Sequence, residues 1–101
     1  MVALHPTANQ AAADTYYQAV EKNVFNGAIP QKYAQLAALS ASVAAKCLYC
    51  IPAHTAMAKA AGATNEEIKT AVAIAADVAL NSSMLYGNQF DMDAFLEMFP
   101  Q

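Results

Sequence analysis

No stretch of this chain alternates apolar and polar residues with the period of two that a half-buried strand requires, so sheet is excluded as its organising element. Helical spacing recurs instead. From about Thr7 to Phe25, the residues Ala13, Tyr16, Tyr17, Val20 and Val24 share one broad face, and Asn26-Gly27 supplies a stop. Pro30 fits the first turn of a second helix that carries Tyr33, Leu36, Ala37 and Val43 towards Ala45. A third helix begins near Cys47 or Cys50 and runs to Ala61, with Pro52 tolerated in its first turn and Gly62 as its stop. Thr64-Asn65-Glu66-Glu67 is a capping box, in which hydroxyl and carboxylate satisfy reciprocal backbone N–H groups. The helix it opens continues through Ile68, Val72, Ile74, Val78 and Leu85 to a break at Gly87-Asn88. Asp91 can cap a short last helix containing Phe95, Leu96, Met98 and Phe99. The prediction is a single all-α domain over residues 1–101, a compact bundle of four to five helices. No linker or internal repeat divides it.

Composition bears on what surrounds the bundle. The 101 residues are 57% hydrophobic and 13% charged, and 25 of them are alanine. At this length only about 60–70% of the unfolded chain's surface can be buried, so the apolar surplus predicts association with further copies of the chain. A net charge of −3 with scattered lysines and no arginine offers nucleic acid no basic patch. The N-terminus lacks a basic stretch followed by a long apolar one, and the longest apolar run, Ala71 to Ala76, is far short of a membrane span. These features predict a cytoplasmic protein without nucleic-acid or membrane partners. In a reducing compartment a close cysteine pair is catalytic, redox-sensing or metal-binding more often than a permanent staple.

Chemistry concentrates in Cys47-Leu48-Tyr49-Cys50-Ile51-Pro52-Ala53-His54, which holds both cysteines and one of the two histidines. On a helix, positions i, i+3 and i+7 fall at about 0°, 300° and 340° around the axis, so both sulfurs and the imidazole share a stripe. Helical residues three apart have Cα atoms roughly 5–5.5 Å apart, within the span a disulfide bridges. Cys50 in the first turn of the third helix meets unpaired N–H groups and the positive end of the helix dipole, both of which favour thiolate. His54, one turn on, is placed to accept its proton, and Cys47 to attack an oxidised Cys50 and close a disulfide. Two other readings use the same residues. The cysteines and histidine could simply pack a helix face. Two thiolates and an imidazole also make three zinc ligands, but a closed site needs a fourth, and His5, the other histidine, lies in the N-terminal segment. Thioredoxin-like C-x-x-C chemistry needs a preceding strand, which is missing. No metal is expected. Tyr49 could offer a phenolic hydrogen bond, although packing is the simpler role for an aromatic there.

The octet and its surroundings resemble the alkylhydroperoxidase D-like, or carboxymuconolactone decarboxylase, family. The resembling pattern covers about Tyr33 to Ala79: Gln35-Leu36-Ala37-Ala38-Leu39, then Cys47, Cys50 and His54, then Ala61-Gly62-Ala63-Thr64-Asn65-Glu66-Glu67-Ile68. The resemblance implies a helical domain that assembles as trimers or hexamers without a bound cofactor. It also implies peroxide reduction, with Cys50 peroxidatic, Cys47 resolving and His54 the base. Decarboxylase members of the family generally lack the cysteine pair. The family pattern has an acidic residue twelve positions before the first cysteine, where this chain has Gln35. A glutamine exchanges hydrogen bonds but takes up no proton at neutral pH, so a proton relay through that position is weakened. Asp77 interrupts the apolar helix from Ala71 to Leu80 and is a substitute acid, or else a solvated or inter-subunit residue. The expected function is thiol-dependent reduction of hydrogen peroxide or organic hydroperoxides, with Cys47, Cys50, His54 and Gln35 as the site and an unidentified thiol reductant restoring the dithiol. The alternative is a dithiol sensor or interaction protein without useful turnover.

Overall fold

The capping box opens the longest helix of the computed structural model, which describes residues 1–100. Thr64 N–H donates to Glu67 Oε1 at 2.9 Å and Glu67 N–H to Thr64 Oγ1 at 3.1 Å. The second oxygen of Glu67 pairs with Lys32 Nζ at 3.0 Å, tying this helix start to the preceding hairpin. The backbone N–H of Thr64 and then the Lys32 ammonium hold the Glu67 carboxyl below the ordinary value of 4.5.

Five helices follow one another: α1 (Gln10–Val20), α2 (Gln31–Ala44), α3 (Cys50–Ala60), α4 (Asn65–Gly87) and α5 (Met92–Glu97). The all-α architecture predicted from the sequence is the one that folds. The first predicted helix is divided: a 3-10 turn at Thr7–Asn9 leads into α1, which widens into a π-helical turn at Glu21–Phe25. It stops where the pattern said it would, at Asn26-Gly27, in a turn so tight that a Cβ at position 27 would collide with the carbonyl oxygen of Asn23, which is why glycine stands there. Pro30 sits just outside α2 rather than in its first turn.

Packing centres on α2, which lies against both α3 and α4. Leu39 of α2 is fully buried, and the residues that α3 and α4 bury are small, Ala58 on α3 and Ala71 and Ala75 on α4. Alanine lets helix backbones approach closely, and Ser40 Oγ donates across the gap to the carbonyl of Ala71 at 2.8 Å. The bundle is compact around this seam, but its ends reach outward. The radius of gyration is 17.4 Å and the extents are 49 × 34 × 29 Å, against about 13 Å for the radius of a closed domain of this length. By length and composition α4 is also apolar enough to cross a membrane, which the short run from Ala71 to Ala76 did not suggest.

Candidate active site

The connection from α2 to α3 places the two sulfurs. α2 ends in a Schellman turn: Cys47 N–H donates to the Ser42 carbonyl at 3.0 Å, and Lys46 N–H to that of Val43 at 3.1 Å. Lys46 is left-handed, at φ 57°. α3 ends in the same motif, with Gly62 at φ 99° in the corresponding place. Of the two starts open for the third helix, the chain uses Cys50, and Cys47 lies in the preceding turn. The two cysteines form a disulfide with Cα atoms 5.2 Å apart. The backbone N–H of Cys50, one of the donors left over at the start of α3, meets Cys47 Sγ at 3.1 Å. The helix N-terminus was expected to act on Cys50, but this N–H serves the sulfur of Cys47.

Gln35 reaches the octet from α2. It is 3% exposed, and its Oε1 accepts a hydrogen bond from His54 Nδ1 at 2.8 Å. Its Nε2 donates to Met57 Sδ at 3.8 Å. The pattern thus identified a residue that touches the histidine, although nineteen positions separate them. Phe25, at the end of the π-helical turn, stacks on the His54 ring with centroids 5.8 Å apart and planes 12° from parallel. His54 is therefore held by an amide edge-on and by an aromatic face. It follows Cys50 by one turn of α3 and shares its face.

Phe25 and Met57 were not singled out in the sequence. Met57 had a usable signal, since it lies three residues after His54 on the same helix face. Phe25 had none, because its approach depends on the π-helical turn and on tertiary packing. Tyr49 does not pack: it is 87% exposed and Leu48 is 84% exposed, so the disulfide opens onto an apolar surface. Asp77 is exposed on α4, and no hydrogen bond or ion pair joins it to the octet among the described residues. His5 is engaged elsewhere, its Nε2 lying 2.7 Å from the Tyr17 hydroxyl. Among the described residues no three of His, Cys, Asp and Glu converge as a metal site would require.

The sequence pattern of the carboxymuconolactone decarboxylase family matches residues 9–90. A protein of Paracoccus denitrificans described as "Uncharacterized protein 4 in cox locus" is 32% identical over 80 residues, spanning 78% of this chain and 72% of that protein. No solved structure matches significantly. Family and disulfide together fit a redox role.

Proposed function

We propose, from the premise that this chain belongs to the carboxymuconolactone decarboxylase family, that it is a cytoplasmic, cofactor-free thiol peroxidase acting on hydrogen peroxide or organic hydroperoxides. The observation that carries the reading is the Cys47–Cys50 disulfide one helical turn before a histidine held by Gln35. In the reduced protein, Cys50 thiolate attacks the nearer peroxide oxygen. The O–O bond breaks, leaving Cys50 sulfenic acid and an alkoxide or hydroxide that takes a proton. His54, having accepted the thiol proton, is the donor within one turn. Cys47 then attacks the sulfenic sulfur, forms the disulfide and expels water. A dithiol reductant supplies two electrons and two protons to reopen it. The exposed surface at Leu48 and Tyr49 gives that reductant access.

The same reading includes self-association as a trimer or hexamer. The accessible surface is 7640 Å², about 2,000 Å² more than a closed monomer of this mass shows. That excess per chain is the scale of an obligate protein interface. The bilayer alternative for α4 meets Asp77 in mid-helix, which would cost about 3 kcal/mol in hydrocarbon, and the buried Ala71 and Ala75 already commit one face to protein.

Mixing reduced protein with limiting hydroperoxide tests the reading. One disulfide should form per peroxide consumed, and a dithiol should support repeated turnover. A single oxidation without turnover would favour the sensor, a reading supported by the neutral Gln35 in the acid's place. No oxidation of either cysteine would overturn both.

A further inference from the structure

The amide of Gln35 has two unlike ends, an oxygen that only accepts and an NH₂ that only donates, and it lies between two residues of α3. On one side is the Met57 thioether, which has no hydrogen and can only accept. Turning the amide over would set its oxygen against that sulfur, acceptor to acceptor. The sulfur therefore selects the orientation seen, with Nε2 towards Met57 Sδ at 3.8 Å and Oε1 on His54 Nδ1 at 2.8 Å. An oxygen at that distance requires the hydrogen on Nδ1, which leaves the lone pair of the neutral ring on Nε2. We propose that Met57 is a positioning residue that sorts the Gln35 amide, and through it fixes His54 in the Nδ1–H tautomer with Nε2 as its basic nitrogen.

The proposal deepens the peroxidase reading, since the tautomer matters to turnover only if His54 moves a proton. A carboxylate at position 35 would need no such help, because both its oxygens accept and either would hold Nδ1–H. An amide can hold either tautomer, so this chain needs a third group to choose. Met57 is positioned for that, its sulfur 3.8 Å from the amide nitrogen although the residue is 40% exposed overall. The π-stacked Phe25 holds the ring plane but does not distinguish its nitrogens.

The test is ¹⁵N NMR of the His54 ring in the disulfide-bonded protein, at a pH where the ring is neutral. Wild type should show Nδ1 protonated by roughly tenfold over Nε2, as one partly buried hydrogen bond supports. Met57→Leu keeps the volume and removes the acceptor; it should move the ring towards an even mixture and slow Cys50 oxidation severalfold. Met57→Glu returns an acceptor-only group at a position with access to water and should restore the wild-type tautomer. Amide spectra of both variants report that the fold is kept. An unchanged ring in Met57→Leu, or the same mixture in both variants, would overturn the proposal. If the tautomers shift as expected in a protein that never consumes peroxide, the positioning role stands and the peroxidase reading falls.

Discussion

Residues 31–75 and residues 76–100 are both mainly helical and both rich in apolar side chains, yet among the described residues seven of the eight that are buried lie in the first stretch and none in the second. In the first, Leu39 and small residues are buried where α2 lies against α3 and α4. In the second, the far half of α4, α5 and the residue that follows it present Val78, Leu80, Met84, Tyr86, Met92 and Met98 at about 60% exposure or more. Small residues where the chain meets itself, and large ones where nothing covers them, are the reverse of what a solvated arm would carry. The difference teaches that residues 31–75 encode a core holding most of the site, while residues 76–100 encode a surface.

The sharpest way to break this contrast is Leu39→Ala. It removes the one large side chain that is wholly buried among the described residues, at an expected cost of about 3–5 kcal/mol. That is a large share of the stability of a small domain. Urea denaturation should show the midpoint collapsing, whereas Leu80→Ala at low protein concentration should move it little. Comparable losses would mean that the arm is packed as well as the seam.

Next in size is the surface itself. Val78→Glu combined with Met84→Glu places charges on the exposed face of α4 without touching a buried residue. Light scattering should find the wild type as an oligomer and the double variant shifted wholly to smaller species, with its helical signal retained. A wild-type monomer at micromolar concentration would remove the interface, and a variant that keeps its size would put the interface elsewhere.

Legibility in the sequence follows the same division. The capping box, the stops at Gly27 and Gly62 and the Asp91 cap were readable because each is a local hydrogen-bonding or steric device confined to a few residues. The approach of Gln35 to His54 was readable only through the family pattern. The start of α3 stayed open because Lys46 occupies a left-handed position without the glycine that marks such turns. The π-helical turn and the stacking of Phe25 were not readable, since both are settled by long-range packing that leaves no local period.

Gln35→Glu tests how the packed half tolerates charge. Gln35 is 3% exposed, so an unpaired carboxylate there would destabilise the fold. Its partner is already in place, with His54 Nδ1 at 2.8 Å, and a carboxylate favours imidazolium and hence proton uptake from Cys50. The second carboxylate oxygen would face the Met57 sulfur, acceptor to acceptor, a cost smaller than the gain of a charged hydrogen bond to the imidazolium. Peroxide consumption should therefore rise by roughly tenfold. A lower rate in a folded variant would show that desolvation dominates and would move the sensor reading ahead.

The smallest effect is expected at the turn that carries Cys47. Lys46 at φ 57° bears a left-handed strain of about 1–2 kcal/mol that glycine would not. Lys46→Gly releases that strain but enlarges the conformational freedom of the unfolded chain, a loss of about 0.4–1 kcal/mol. The two nearly offset, and the strain should prevail by about 0.5–1 kcal/mol, seen as a higher denaturation midpoint in the disulfide-free protein. The same freedom acts against function. Lys46 immediately precedes Cys47, and both backbone N–H groups of the turn are committed to α2 carbonyls, so the lysine's restricted backbone helps hold the thiol near Cys50. With glycine there, the closing of the disulfide after Cys50 oxidation should slow, by roughly twofold to fivefold if the turn loosens by an amount comparable to the released strain. Stopped-flow oxidation separates the steps, since sulfenic acid formation should be unchanged and only its resolution delayed. A variant that is less stable than wild type would show that the added freedom of the unfolded chain outweighs the strain relieved at position 46.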